Sequence, residues 1–286
     1  MRGKVCLITG ATNGIGLETA RCLAEKNATV VLVGRNPEKT QRVVDELRQS
    51  TGSPNLDFLL ADLSLMSEVR KLASDFQSRY DRLDVLINNA GGVFGRREVT
   101  SEGLELTFAL NHLSYFLLTH LLLDTLKASA PARIVNLASE AHRNTQLDFD
   151  NLQGEKGYMG FRNYGRSKLM NIMFTIALAR RGNCAEVTVN AVHPGFINSG
   201  FAKNNNILWK TMMFLARPLT KSVETGALTP TYLAASSEVS HITGKYFSDS
   251  RPIKPSDAAL DIEAQEKLWD ISVELTGVGA REPVMV

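Results

Sequence analysis

The segment T-G-A-T-N-G-I-G, residues 9–16, constrains the fold more than any other part of this sequence. It follows the apolar run V-C-L-I, which is typical of a buried strand, and a helical spacing of apolar residues begins directly after it. Glycines in such a turn let the backbone approach a pyrophosphate, and the helix that follows presents free N–H groups to that anion. We therefore expect a dinucleotide to bind at Gly10, Thr12, Asn13, Gly14, Ile15 and Gly16.

Strand-like and helix-like segments alternate along the rest of the chain. Runs that are apolar on both faces suit a parallel sheet covered by helices on each side. This order predicts one α/β domain over residues 1–286 with a doubly wound parallel sheet and a C-terminal helix in residues 255–276. The predicted strands are Val5–Thr9, Thr29–Val33, Asp57–Leu60, Val85–Asn88, Arg133–Leu137, Val187–Val192 and Gly244–Phe247, and the predicted helices are Gly16–Lys26, Pro37–Ser50, Ser67–Tyr80, Ser101–Ala128 and Tyr164–Arg180.

Composition excludes several classes of protein. A hydrophobic content of 44% and a charged content of 22% over 286 residues are typical of a soluble globular protein. The net charge of +2 is spread along the chain, which argues against a nucleic-acid partner. Three cysteines and five histidines show no spacing suited to ligation, so we expect no metal site.

The distribution of apolar residues predicts a cytosolic protein. The first strand-like run begins near residue 4 and leaves no room for a signal peptide. No apolar run reaches about 18 residues, so we expect no integral membrane span. Two alternatives stay open: a native anchor that is absent from this sequence, and peripheral contact with a membrane surface.

The end of the second predicted strand, V-L-V-G-R-N, distinguishes between dinucleotides. NAD-binding sites carry a carboxylate at this point, and here Gly34 stands in its place with Arg35 after it. An arginine pairs a 2′-phosphate, and no carboxylate at this strand end would repel it, so NADP(H) is favoured over NAD(H). The alternative is a solvated Arg35 that only ends a strand. Asp62, with Leu63 beside it, is a candidate contact for the adenine.

Four motifs occur in a fixed order along the chain: T-G-A-T-N-G-I-G at 9–16, N-N-A-G at 88–91, Y-G-R-S-K at 164–168 and P-G at 194–195. With them the chain resembles the short-chain dehydrogenase/reductase family over nearly its whole length. Segments such as L-N-H-L-S-Y-F-L-L-T-H-L-L-L at 110–123 are similar to its retinol dehydrogenase and WW-domain oxidoreductase-like branch. The resemblance implies a Rossmann-type sheet of about seven strands and an NADP(H)-dependent oxidoreductase acting on CH–OH or C=O groups. It also leaves a homodimer open, because the helix after Tyr164 is apolar nearly all round.

The resemblance implies a catalytic set of Asn111, Ser139, Tyr164 and Lys168. Tyr164 matches the general acid/base and Lys168 its partner, whose ammonium would lower the pKa of the phenol and hold the nicotinamide ribose. Ser139 would hold the carbonyl oxygen, and Asn111 would hold a water that connects Lys168 to solvent. The cofactor contacts that it adds are Asn89, Ala90, Gly91, Tyr164, Lys168, Pro194, Gly195, Ile197 and Ser199.

The substrate side is predicted from two segments. Ser139 and Tyr164 are 25 positions apart, and the polar stretch between them is predicted to be a loop that walls the substrate mouth. Residues 196–222 are rich in large apolar side chains and predict a lid over a lipophilic aldehyde or ketone, with a retinal-like carbonyl added by the resemblance. Core packing, dimer contacts or a membrane surface are the alternatives. The candidate substrate contacts are His142, Phe196, Phe201, Trp209 and Met213.

Two other functions stay open. The first is reduction of an activated double bond, as in protochlorophyllide reductase relatives, which share the tyrosine and lysine. The second is a dinucleotide-sensing regulatory protein that retains the fold. The presence of all four catalytic candidates favours an enzyme over a sensor.

Overall fold

The computed structural model describes residues 1–182, 186–196 and 222–278. Within them, eight strands form one sheet. Seven of the strands pair in parallel, and the eighth is antiparallel. The strands are β1 (Val5–Thr9), β2 (Thr29–Gly34), β3 (Leu56–Leu60), β4 (Val85–Asn88), β5 (Ala132–Leu137), β6 (Val187–His193), β7 (Tyr246–Ser248) and β8 (Arg251–Ile253).

The order of the strands across the sheet is β3-β2-β1-β4-β5-β6-β7-β8. The chain therefore reverses direction across the sheet between β3 and β4, as a doubly wound fold requires. The predicted fold class is confirmed, and the added strand β8 pairs with β7 through a tight hairpin. Asp249 and Ser250 form that turn with positive φ angles of 47° and 58°, a conformation that suits two-residue hairpins.

The described helices cover both faces of the sheet. They are α1 (Gly14–Glu25), α2 (Pro37–Thr51), α3 (Met66–Arg79), α4 (Leu106–Ala128), α5 (Gly160–Arg180), α6 (Val223–Ala235), α7 (Asp257–Leu260) and α8 (Ile262–Thr276). The α4 helix contains a π-helical turn at Ala109–Leu113. The region predicted as one C-terminal helix is divided, because Asp261 caps α8 by accepting a hydrogen bond from the Ala264 N–H at 3.1 Å.

Alternate residues of the central strands enter two separate cores. Leu7 and Val31 pack with residues of α3, α4 and α5, whereas Ile8 and Leu32 pack with residues of α1, α2 and α6. All four side chains are fully buried. Burial on both faces explains why the strands read as continuous apolar runs, with no polar alternation.

The prediction that no segment is able to span a membrane is wrong. The α4 helix has 23 residues and is long and apolar enough to cross a bilayer by length and composition. Within the described fold, 72% of its most apolar stretch is buried, and its side chains form part of the core. The predicted cytosolic location stays a prediction.

The buried carboxylate of Asp84, just before β4, holds the amino end of β1 through hydrogen bonds. Asp84 accepts hydrogen bonds from the Val5 N–H at 2.8 Å, the Lys4 ammonium at 2.8 Å and the Arg82 guanidinium at 2.6 and 2.9 Å. Burial acts to raise the pKa of Asp84, but the bonds from Arg82 and Lys4 lower it overall. A carboxylate with a lowered pKa stabilises the fold above its unfolded-state pKa.

We expect Asp84→Ala to lower the free energy of unfolding by about 2 kcal/mol, because several charge-assisted hydrogen bonds are lost. The difference from the wild type should be full above about pH 4 and should vanish as the pH falls through the folded-state pKa. Urea unfolding at a series of pH values measures this. Asp81→Ala is the control, because Asp81 is an exposed carboxylate three residues before Asp84. An equal loss of stability in both variants would contradict the stabilising role of Asp84.

Candidate active site

The predicted site residues meet at one edge of the sheet, where the parallel strands end. Each of the first six strands ends at a candidate residue or segment, and the carboxyl ends of such strands are where open α/β sheets bind ligands. In strand order these are Gly10 after β1, Arg35 after β2, Asp62 after β3, Asn89–Gly91 after β4, Ser139 after β5 and Pro194–Gly195 after β6.

The glycine loop has the conformation that its sequence predicts. Gly10 and Gly14 have φ angles of 64° and 53°, in the left-handed region that favours glycine. A Cβ atom on Gly16 would lie 2.6 Å from the Gly10 carbonyl oxygen and 2.4 Å from the Asn89 amide nitrogen. The Asn13 side chain does not cap α1. The N–H groups of the first helical turn therefore remain available to an anion.

The N-N-A-G turn holds the glycine loop in place. The Asn89 side chain donates to the Thr9 carbonyl at 2.7 Å and to the Gly10 carbonyl at 3.1 Å. The Thr9 hydroxyl accepts from the N–H groups of Asn89 at 2.8 Å and Ala90 at 3.0 Å. The Asn89 side chain thus holds the start of the glycine loop in place through the Thr9 and Gly10 carbonyls. Ala90 and Gly91 follow it and lead toward the candidate catalytic residues.

The cofactor-discriminating end of β2 leaves no space for a carboxylate on the strand itself. A Cβ atom on Gly34 would lie 2.1 Å from the Thr40 hydroxyl oxygen and 2.7 Å from the Thr12 methyl group. Arg35 points outward with 76% of its side chain exposed, and its guanidinium lies 3.3 Å from Asp62. No carboxylate stands at the end of β2, as expected, but the segment after the next strand supplies one that contacts Arg35.

Asp62 is held mainly by its own turn. It accepts hydrogen bonds from the Ser64 N–H at 3.1 Å and the Ser64 hydroxyl at 2.7 Å. Burial acts to raise the pKa of Asp62, but these bonds and the charge of Arg35 lower it overall. An exposed pair of this kind is worth only about 0–1 kcal/mol, so the Arg35 guanidinium is free to exchange it for a stronger anion.

Ser139 and Tyr164 are brought together although they lie far apart in sequence. The Ser139 hydroxyl lies close enough to the Tyr164 phenol to lower the phenol's pKa. Ser139 follows β5 and caps the short helical turn Glu140–Asn144 by accepting from the Ala141 N–H at 3.2 Å. Tyr164 lies in the second turn of α5, and Gly165 beside it allows α5 to approach the Ala141 carbonyl, because a Cβ atom there would lie 2.6 Å from that oxygen.

Lys168 lies one helical turn after Tyr164, with 3% of its surface exposed. Its ammonium donates to the Leu137 carbonyl at 2.9 Å. The nitrogen is 5.7 Å from the centre of the Tyr164 ring and 5.4 Å from the centre of the Tyr115 ring. Tyr115 donates its hydroxyl to the Ala90 carbonyl at 2.8 Å, which joins α4 to the cofactor-side turn.

Burial dominates the protonation of the tyrosine–lysine pair. It raises the pKa of Tyr164 to about 12, although the nearby Ser139 hydroxyl acts in the opposite direction. It lowers the pKa of Lys168 to about 7. The predicted lowering of the Tyr164 pKa by Lys168 is therefore absent from the polypeptide alone, because desolvation favours the neutral form of both groups. At neutral pH the Tyr164 phenol is therefore protonated and can donate a proton, and Lys168 is divided between its charged and neutral forms.

Asn111 lies in the π-helical turn of α4 and is fully buried. Its amide exchanges two hydrogen bonds with the Gly92 backbone, at 2.8 and 2.9 Å, and donates to the Ser167 hydroxyl at 2.9 Å. These bonds use both amide N–H groups. The side chain therefore joins the Gly91–Gly92 segment to α5, and the predicted water-holding role stays a prediction.

His142 is not a substrate contact. Its ring is fully buried, with Nδ1 2.7 Å from the Ser139 carbonyl and Nε2 accepting from the Ser256 N–H at 3.1 Å. The ring also packs on Tyr246, with the ring centres 5.0 Å apart. Both ring nitrogens are therefore used to fasten the Ser139 backbone to the segment after β8.

The insertion between Ser139 and Tyr164 is fixed to the segment before α4. Gln153 accepts from the Glu105 N–H at 2.9 Å, and its carbonyl accepts from Arg97 at 2.8 Å. Tyr158 contacts the Thr107 hydroxyl at 2.9 Å and donates to the Phe94 carbonyl at 3.1 Å. The predicted loop thus contains short helical turns and ordered contacts along one side of the site.

The other substrate candidates divide into two groups. Phe196 is described and 50% exposed. Phe201, Trp209 and Met213 lie outside the described residues, as do the cofactor candidates Ile197 and Ser199 and nearly all of the predicted lid at 196–222. Sequence reasoning missed two other large apolar side chains, Met159 and Phe161, which are 66% and 56% exposed beside Tyr164. The Phe161 and Tyr164 ring centres are 6.3 Å apart.

A doubly wound sheet with a glycine loop and a serine–tyrosine–lysine group at its carboxyl edge defines the class of nicotinamide-dependent oxidoreductases. Comparison with known proteins agrees. The short chain dehydrogenase family profile matches residues 4–207. Retinol dehydrogenase 12 of Mus musculus is 41% identical over 279 residues, which cover 96% of this chain and 87% of that protein.

Solved structures give the same result. An uncharacterised protein from Mycobacterium paratuberculosis has a TM-score of 0.78 at 28% identity, covering 97% of this chain and 94% of its own. The RhlG/NADP active-site complex of Pseudomonas aeruginosa has a TM-score of 0.69 at 26% identity, covering 86% of this chain and 94% of its own. The chain belongs to the short-chain dehydrogenase/reductase family, whose members bind a nicotinamide dinucleotide, and its relatives include retinol dehydrogenases. The predicted resemblance is confirmed.

We expect Gly16→Ala to weaken dinucleotide binding about tenfold or more, because the added methyl group displaces Asn89 or the Gly10 carbonyl from the phosphate loop. Fluorescence titration with NADPH measures the affinity. Gly103→Ala is the control, because Gly103 also has a positive φ angle, 81°, but lies in open space away from the strand ends. Equal affinity in the two variants would contradict the role given to the loop.

Proposed function

We propose that this protein is an NADP(H)-dependent carbonyl reductase, reversible as an alcohol dehydrogenase, that acts on a lipophilic aldehyde or ketone. The observation that carries the proposal is the placement of Tyr164 near the Ser139 hydroxyl, with the buried Lys168 one turn further along the same helix and its ammonium 5.7 Å from the centre of the Tyr164 ring. Three residue types that carbonyl reduction needs thereby meet at the edge where the cofactor loop also ends.

The roles of the three side chains follow from their chemistry. NADPH, when bound, supplies the hydride. Tyr164, protonated at neutral pH, donates a proton to the carbonyl oxygen as charge develops there, and the Ser139 hydroxyl is a second donor to the same oxygen. Lys168 contributes positive charge beside the phenol and a donor for the nicotinamide ribose. In the reverse direction Tyr164 accepts the proton of the alcohol.

The residues at the end of β2 fit the adenosine side of NADP(H). Gly34 is closed to any side chain by Thr40 and Thr12, so an acid that would bind the ribose hydroxyls of NAD(H) has no space on the strand. Arg35 is largely exposed and is joined to Asp62 by a single weak ion pair. A 2′-phosphate offers the guanidinium a stronger, forked hydrogen-bonding partner than Asp62 does.

The apolar rim supports a lipophilic substrate. Met159, Phe161 and Phe196 are large apolar side chains that are each at least half exposed. The Phe161 ring centre lies 6.3 Å from that of Tyr164, Met159 precedes the same helix, and Phe196 directly follows the Pro194–Gly195 turn. Relatives carry the name retinol dehydrogenase. A retinal-like carbonyl therefore fits both the rim and the relatives.

We expect the wild-type protein to oxidise NADPH faster with long-chain aldehydes than with short-chain aldehydes, and the absorbance of NADPH measures both rates.

We expect Tyr164→Phe to lower kcat by about 10²–10⁴-fold, because the proton donor is lost. NADPH absorbance follows the reaction, and titration should show nearly unchanged NADPH affinity. Tyr80→Phe, which removes the same atom at the opposite edge of the sheet, is the control. Full activity of the Tyr164→Phe protein would refute the acid/base assignment.

We expect Arg35→Glu to raise the KM for NADPH by about 10–100-fold, because the charged hydrogen bond to the 2′-phosphate is lost. The KM for NADH should stay nearly unchanged, because NADH has no 2′-phosphate. Arg79→Glu changes the net charge equally and lies beside Asp57 at the start of β3, so it controls for long-range electrostatics. An unaltered ratio of the two KM values would remove Arg35 from the specificity of the site.

A further inference from the structure

The carbonyl oxygen of Leu137 is shared by two side chains of α5. It accepts from the Lys168 ammonium at 2.9 Å and from the Asn171 amide at 3.1 Å. Leu137 ends β5 two residues before Ser139, and Asn171 lies one helical turn after Lys168, fully buried. The two lone pairs of one carbonyl are thus divided between the lysine and a neutral amide.

His112 contacts the oxygen of the Asn171 amide. The Nδ1 atom of His112 is 3.4 Å from the Asn171 carbonyl oxygen, and its Nε2 atom is 3.0 Å from the Ser272 hydroxyl. The Ser272 hydroxyl also donates to the Leu268 carbonyl at 2.7 Å, so its proton is shared between that oxygen and Nε2 when Nε2 is an acceptor. Only donation to Nε2 of the neutral ring places a proton on Nδ1 for Asn171.

The surroundings of His112 are apolar and closed. Its ring lies parallel to Phe108 with 5.8 Å between centres, and Phe174 meets it edge-on at 6.4 Å. The space beside it, bordered by Leu268 and Trp269, is too small for a water molecule. Burial lowers the pKa of His112 to about 4, which keeps the ring neutral. In the described residues the titratable groups that face Lys168 are Tyr164 on the same helix and Tyr115 on α4.

We propose that Asn171 and His112 are positioning residues, which hold the Leu137 carbonyl in place and thereby set the position of the Lys168 ammonium relative to Tyr164. The chain of hydrogen bonds runs from Ser272 on α8 through His112 on α4 and Asn171 on α5 to the end of β5. Four elements are thereby joined behind the lysine. Only the catalytic consequence of this arrangement rests on the proposed function.

The direct test is the titration of Lys168 by NMR of protein labelled with ¹³C at the lysine ε-carbon, with the Lys168→Met protein assigning the signal. We expect Asn171→Leu to raise the pKa of Lys168 by about 0.5 unit or more. The freed carbonyl is a better acceptor for the charged ammonium, and the positive end of the amide dipole is removed from it. We expect kcat for carbonyl reduction to fall about tenfold as the ammonium shifts.

Thr175→Val is the matched control. Thr175 is a buried polar residue of the same helix, one turn further on. Its hydroxyl accepts from the Asn136 amide at 3.0 Å and donates to the Asn171 backbone carbonyl at 2.8 Å, so Thr175→Val leaves the side-chain amide of Asn171 unchanged. We expect it to lower stability but to leave both the Lys168 titration and kcat unchanged. His112→Phe retains the aromatic packing and removes both ring nitrogens, so it should move the titration in the same direction by a smaller amount, and it serves if Asn171→Leu does not fold.

Three outcomes separate the hypotheses. A raised Lys168 pKa in the Asn171 and His112 variants, with none in Thr175→Val, supports the positioning role. A Lys168 pKa that equals the wild-type value in the Asn171 and His112 variants overturns it, and so does an equal rise in Thr175→Val. A wild-type protein that reduces no carbonyl refutes the proposed function, and the NMR comparison still decides whether Asn171 controls the state of the lysine.

Discussion

The burial of both faces of the sheet is the constraint on which the rest of the structure depends. Because side chains of β1, β2, β4 and β5 enter a core on each side, the strands have no exposed face on which polar chemistry could be placed. The residues of the candidate site therefore lie just beyond the strand ends. The carboxyl edge collects them from six neighbouring strands, so residues as distant as Gly10 and Pro194 are brought to one place without any local sequence relation.

The same burial decides the electrostatics of the catalytic group. Lys168 and Tyr164 lie where desolvation penalises charge, and their pKa values move to about 7 and about 12, toward the neutral forms. The polypeptide therefore supplies a proton donor together with an amine that is poised near its midpoint. A local increase of negative charge beside Lys168, such as phosphate groups of a dinucleotide, favours the ammonium, and the ammonium in turn favours the phenolate.

Sequence reasoning predicted most of the strands and helices, because they follow from local periodicity. The strand Val5–Thr9 and the helix start at Pro37 agree with the structure to the residue. The Tyr164–Lys168 pair could be predicted because a spacing of four places two side chains on one helix face. The Ser139–Tyr164 contact required a family resemblance, since a 25-residue separation carries no geometric information by itself.

The remaining errors have a common physical origin, which is that sequence patterns do not show long-range hydrogen-bond partners. His142 was expected at the substrate because it lies in a polar loop, but its ring nitrogens find the Ser139 carbonyl and the Ser256 N–H. The contact between Arg35 and Asp62 was not predicted, because the two residues are 27 positions apart. Asn171, three residues after Lys168, carried a readable signal in its helical spacing, but its partner His112 belongs to another helix.

The choice of amides around the lysine has a physical reason. Asn111 and Asn171 are fully buried, and each joins segments that would otherwise leave backbone groups without partners. A carboxylate in either position would form an ion pair with Lys168 in a medium of low dielectric constant, raise its pKa strongly and hold the ammonium away from Tyr164. A neutral amide fixes the same geometry with dipoles alone. The lysine is thereby positioned firmly while its protonation remains responsive to whatever charge arrives at the strand ends.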